Sequence, residues 1–375
     1  MVVKRIALGC AVLAIAIGFP GVSCTHGEKV GLGWMFDGGA MPDPGAPIEA
    51  NPAPRGWEDR RDQWELVWRD EFTGGTGENF HNGLDLGNWT IDTGTGAQYG
   101  LNGWGNYELQ YYSRDNVSVR DGMLVIEANN VPFRTRDFTS GKITSGGNLS
   151  STGYGSVETP ERFALSEGFI EARIRTPRGM GFWPAFWTLG TTSNRFGNAG
   201  YIPVGHPNRG WPRGGEIDIM EMRGGREDRH TSAIHFWQGR HQYRHSNMDV
   251  RNGLPRDVDM SSHFHVYGVR WDAEAITFYF NGVPWWVVDL HSLAAEGVNT
   301  AAFTADTGQL ININLALGGW FVDMAAPPAS LFAPDAPWEN RSLMVDWVRA
   351  YRRVGGNSVV HIRGERMPSD WTPNF

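Results

Sequence analysis

Across most of this 375-residue chain, apolar residues recur at every second position and not at helical spacing. "WELVWRDEF", "NVSVRDGMLVIEA", "EGFIEARIRT", "TSAIHFW", "FHVYGVRWD", "AITFYFNGVPWWVVD", "LININLAL" and "LMVDWVRAYRR" are rich in β-branched and aromatic residues. Period two places alternate side chains on opposite faces of a strand. Asp121-Gly122 and Asn281-Gly282 lie between paired runs, where a two-residue hairpin turn needs residues that tolerate positive φ. Only "DLHSLAAEG" offers one short helix. Many short antiparallel strands joined by turns imply an all-β chain folded as a sandwich of two sheets. The length is enough for one large core.

One strand breaks the pattern. "WPRGGEIDIMEM", residues 211 to 222, puts Glu216, Asp218 and Glu221 within an apolar run of Ile217, Ile219, Met220 and Met222. An unpaired buried charge is expensive, so the acids must share an open face. Glu216 and Asp218 do so by simple alternation, but Glu221 is out of step. One extra residue at Ile219–Met220, a β-bulge, restores it to the acidic face. Three carboxylates lining a groove suit hydrolysis of a glycosidic bond: one ionised group attacks the anomeric carbon and one protonated group serves the leaving oxygen. A retaining reaction needs that pair about 5–5.5 Å apart, which near neighbours on one strand face can supply. Asp218 between them would hold the acid's proton by charge repulsion. A solvated acidic face or a cation site is the plainer alternative.

The segment Glu-Ile-Asp-Ile-Met-Glu resembles the signature of glycoside hydrolase family 16, in its bulge-containing laminarinase-like branch. The resemblance runs from about residue 64 to 353 through "WELVWRDEF", "GNYELQYY", "DGMLVIEA", "TSGKI", "GFIEARIRTPRGMGFWPAFWTLG", "FYFNGVPWW", "NLALGG" and "MVDWVRAY", in that order. It implies a concanavalin-like β-jelly-roll sandwich with an open cleft and retaining endo-hydrolysis of β-1,3- or mixed β-1,3/1,4-glucan. Carried over by position, Glu216 matches the nucleophile, Asp218 the assisting aspartate and Glu221 the acid/base. Trp183, Trp187 and Trp211 would floor the sugar subsites by stacking, where each alone could equally fill a core. Asn106 matches an asparagine that reaches sugar hydroxyls. His235, with Trp237 two residues on, matches a histidine near the reactive subsite. The resemblance also offers calcium a site at Glu71, the Gly122 carbonyl and Asp346, oxygen donors that suit the ion, though ordinary surface acids are the other reading. No other cofactor is implied. Lys142 departs from the pattern, standing where relatives more often have arginine.

A net charge of −8 argues against nucleic acid or an anionic membrane surface as partner. A polysaccharide substrate and a monomer are expected. "MRGGREDRHTSAIHFWQGRHQYRH" carries Arg223, Arg226, Arg229, Arg240 and Arg244. As a solvated loop the run needs no ligand; as forks its arginines would grip a sulfated galactan. A transglycosylase, or a glucan-binding protein on the same sandwich, are further alternatives.

Lys4 and Arg5, an apolar stretch from Ile6 to Phe19 and a small-residue exit read as an export signal over residues 1–24. "GVSC" is similar to a bacterial lipoprotein box, apart from Gly21 where Leu is usual, and would make Cys24 the lipidated first residue of a cell-envelope protein; ordinary cleavage nearby, giving a secreted protein, is the other reading. With Cys10 removed, Cys24 is the only cysteine. Residues 25–60 read as a Gly/Pro-rich tether, 61–353 as the catalytic domain and 354–375 as a polar tail.

Overall fold

The computed structural model describes residues 63–99, 101–147, 161–191, 210–304, 307–363, 365–368 and 370–373. The signal, Cys24 and the tether lie outside the described residues.

The strands that position the site are, in chain order, β1 (Trp64–Asp70), β2 (Val117–Arg120), β3 (Met123–Glu127) and β4 (Lys142–Thr144). There follow β5 (Gly168–Arg175), β6 (Phe182–Gly190), β7 (Glu216–Glu221), β8 (His230–Trp237) and β9 (His241–Met248). The last are β10 (His265–Trp271), β11 (Ala275–Phe280), β12 (Val283–Asp289), β13 (Gln309–Leu317) and β14 (Ser342–Arg353). They make two antiparallel sheets. One runs β12-β11-β10-β5-β14-β3-β2, with β1 also on β14. The other runs β9-β8-β7-β6-β13, with β4 also on β13. The expected helix is Leu290–Ala295, capped by the Asp289 carboxylate. Among the described residues no helix is long and apolar enough to cross a membrane.

Alternation explains the core. Ile217 of β7, Ile234 and Phe236 of β8, Ile313 of β13, Trp271 of β10 and Phe278 of β11 are fully buried in one apolar cluster. Such side chains supply about 1.5–3 kcal/mol each on burial. Both expected hairpin turns form: Asp121 and Gly122 have φ of 51° and 73°, Asn281 and Gly282 of 48° and 78°, as a two-residue turn matched to strand twist requires.

Two expectations need correction. The chain after Arg353 is not simply a tail: Val360–Ile362 pairs with Phe163–Leu165, and Val360 is buried. A three-residue strand, with Val360 in the core and Ile362 packed against it, has too short a pattern to detect by period. The end of the arginine-rich run, from His241 onward, is no loop but the edge strand β9, so polar on both faces that it lacks a hydrophobic alternation.

Candidate active site

The bulge lies where the spacing requires it. Against β6, Phe186 pairs with Met220 but the next residue, Trp187, pairs with Asp218, which skips Ile219. Against β8, Ala233 faces Asp218 and Thr231 faces Glu221, which leaves Ser232 alone opposite Ile219 and Met220. Ile219 and Met220 both go into the core. The Ile219 carbonyl, out of the ladder at the bulge, accepts a 2.7 Å hydrogen bond from the buried Ser232 hydroxyl. Glu216, Asp218 and Glu221 thereby share the open face.

Each acid has a different neighbour. The Trp211 indole N–H donates to Glu216 Oε2 at 2.7 Å, and Trp183 donates to Glu221 Oε1 at 2.9 Å. His235 Nε2 stands 3.1 Å from Asp218 Oδ2 and 3.9 Å from Glu216 Oε1. Burial, then the Asp218 charge, push Glu221 up to about 8, against the pull of His235 and the Trp183 hydrogen bond. For His235, burial opposes the charged form, but the Asp218 carboxylate beside it and the charges of Glu216 and Glu221 prevail and raise it to about 9. A charged imidazole carries protons on both nitrogens. Its Nδ1 then donates to His241 Nε2, 2.8 Å away. Glu216, Asp218 and His235 offer atoms within 4.8 Å of one another, close enough to surround a cation; the imidazolium itself supplies that positive charge.

The aromatic residues divide. Trp187 is half-buried on the open face, its indole donating to Asn314 Oδ1 at 2.8 Å. Trp183 is only 6% exposed and stacks on Phe321 with centroids 4.8 Å apart. Its ring is therefore largely covered, and its contribution to the site is the hydrogen bond to Glu221. Trp211 and Trp237 are half-buried, and the Arg213 guanidinium lies 3.9 Å from the Trp237 ring centroid. Asn106 donates to Glu108 Oε1 at 3.0 Å and accepts from the Trp320 indole at 3.1 Å.

The sequence reading missed Trp320, which is 54% exposed and packs edge-on against Trp183 at 5.6 Å. It also missed His241; a His-x-Tyr-x-His alternation is the signal that could have found it. Lys142 is buried, paired with Asp92 at 3.1 Å, and its ammonium lies 4.3 Å from the Trp104 centroid and 5.4 Å from that of Trp187. It supports the Trp187 platform from within. Arg223 pairs with Asp323, Arg226 and Arg229 with Asp228, and Arg244 with Glu296.

The residues expected to hold calcium are engaged elsewhere. Glu71 takes both Nε and Nη2 of Arg349, at 2.8 and 2.9 Å, and Asp346 takes Arg173 at 2.7 Å. Oxygen donors suit the ion, but here a cation would have to displace two guanidinium groups. As arranged, the set does not fit one.

Comparison with known proteins agrees with this geometry. Residues 106–320 match the family model described as glycosyl hydrolases family 16. A beta-glucanase of Rhodothermus marinus is 32% identical over 79% of this chain and 88% of its own length. Glucan endo-1,3-beta-glucosidase A1 of Niallia circulans is 32% identical over 76% of this chain, but only 38% of its own length is matched. Among solved structures, the laminarinase catalytic domain from Thermotoga maritima MSB8 superposes with a TM-score of 0.59 at 29% identity. That match covers 77% of this chain and 98% of the other.

Proposed function

The chain belongs to family 16 of the glycosyl hydrolases, and from that premise we propose that it cleaves internal bonds of β-1,3-glucan, laminarin-like or mixed β-1,3/1,4, with retention of configuration. The observation that carries the assignment of roles is the asymmetry of the carboxylates. Glu221 is raised to about 8 and so keeps a proton at neutral pH, whereas Glu216 is held by the Trp211 N–H and faces the His235 imidazolium. Separating two carboxyl groups in this way distinguishes acid from nucleophile. Glu216 attacks the anomeric carbon while Glu221 gives its proton to the departing glycosidic oxygen, leaving a glycosyl ester on Glu216. Glu221 then takes a proton from water, which attacks the same carbon and returns the Glu216 carboxylate. Asp218 orients His235 and, by its charge, favours the protonated Glu221.

A neutral substrate is favoured over a sulfated one because Arg223, Arg226, Arg229 and Arg244 are paired with acids of this chain. Export is a separate proposal, with Cys24 as a lipidated first residue; the intact mass of the mature protein tests it. For the catalytic reading, Glu216→Gln keeps the side-chain shape but cannot attack. Turnover of laminarin should vanish while the variant still binds laminari-oligosaccharides, and wild-type products should first appear as the β-anomer by NMR. Substantial activity in the variant, or an α-anomer first, would refute the assignment.

A further inference from the structure

The edge strand beside His235 carries a row of rings that the chemistry above does not use. β8 sets His235 opposite Glu216 and Ala233 opposite Asp218. β9 then sets Tyr243 opposite His235, His245 opposite Ala233 and His241 opposite Trp237. Directly opposed residues share a face of the sheet, so His241, Tyr243 and His245 lie on the side of the carboxylates. All three are exposed, Tyr243 by 52%. The rings follow one another from the indole that holds Glu216: Trp211 to His241 at 4.4 Å, His241 to Tyr243 at 6.1 Å, Tyr243 to His245 at 5.6 Å.

An exposed edge is normally a liability that proteins cover or blunt, yet this one is held in place. On its other face the Arg244 guanidinium pairs with Glu296 at 2.6 Å and lies 5.5 Å from the Phe236 ring centroid. The row is thus anchored from behind and open on the cleft side. At about 4.8 Å per strand, Tyr243 lies roughly 10 Å across the sheet from the strand that carries Glu216. That is beyond the reach of the sugar at the reacting carbon.

We propose that Tyr243, flanked by His241 and His245, is a distal subsite that stacks a further pyranose residue of the same β-glucan chain. The C–H face of a pyranose is apolar and lies flat on an aromatic ring, and imidazoles on either side offer both donors and acceptors to its hydroxyls. The row is narrow, polar-edged and continuous with the cleft, which fits one strand of polysaccharide and not the broad apolar patch of a protein partner. This inference rests on the glucanase reading.

The test compares long and short substrates. Tyr243→Ala should raise KM for laminarin about three- to tenfold, the range of one aromatic contact, with kcat little changed. KM for the shortest cleaved laminari-oligosaccharide should stay put. Tyr243→Phe should behave as wild type, and His245→Ala, whose ring contact is with Tyr243, should move KM for laminarin in the same direction. Equal losses on long and short substrates would mean that Tyr243 only supports His235, and no change on either would mean no subsite; both overturn the proposal. If the wild type neither cleaves nor binds any β-glucan, the glucanase reading itself falls. Wild-type activity with an indifferent Tyr243→Ala sinks the subsite alone.

Discussion

Asp218→Asn isolates the charge that keeps the acid protonated. The bulge makes Asp218 and Glu221 successive residues on one strand face, about 6.5–7 Å apart by strand geometry. At an effective dielectric of about 20, a like charge at that range raises Glu221 by about 2.5 kcal/mol, or nearly two pKa units. The substitution also removes the closest carboxylate from His235, whose charge opposes that rise, and part of the shift is cancelled. Glu221 should therefore fall from about 8 by about one unit net. The sign follows from the role: the reaction needs Glu221 protonated, so activity is full below its pKa and is lost above it. The alkaline limb of kcat/KM for laminari-oligosaccharides, followed from pH 5 to 10, should move down by about one unit. An alkaline limb that stays put or moves up would refute the reasoning, because either Glu221 would not be the acid or Asp218 would not set its proton affinity.

Deleting Met220 removes the bulge and a fully buried side chain. Loss of about 2–5 kcal/mol and of activity together is expected, and a deletion variant with an unchanged Tm and rate would show that the extra residue does nothing. His230 is buried against Tyr267, Phe280 and Trp285, and burial lowers it to about 3 from 6.5. Its contribution to stability is complete above the unfolded value and is lost as pH falls toward the folded one, about 3 kcal/mol by pH 4. Urea melts of His230→Phe should show a shallower acid slope, with His265, lowered to about 4, and Asp259, lowered to about 2, contributing to what remains. With Arg223, Arg226, Arg229 and Arg244 paired to acids, laminarin should be cleaved with a KM that barely changes with NaCl and a sulfated galactan should not be cleaved; cleavage of the sulfated galactan with a KM that rises steeply with NaCl, flattened by Arg226→Ala and Arg229→Ala, would mean an anionic substrate.

Beyond the chain-long resemblance, what the residues themselves made legible was local. Period two in segments such as "LININLAL" determined strands, and with them a two-sheet sandwich, because a strand's two faces are set by its own residues. The three acids and the bulge between them were equally legible, since their spacing is inconsistent with a regular strand that leaves Glu221 in the open. What those acids do could not be decided within one strand. Trp183 read as an open sugar platform, and only packing against Phe321 and Glu221, each more than thirty residues away, made it a covered hydrogen-bond donor. The calcium ligands looked available until Arg349 and Arg173 were brought against them from neighbouring strands. β9 stayed hidden because its residues are polar on both faces, so no apolar alternation marks it. Its rings reached the cleft because strand pairing aligned Tyr243 with His235 and His235 with Glu216. Such registers join residues distant in the chain, and only the folded sheet determines them.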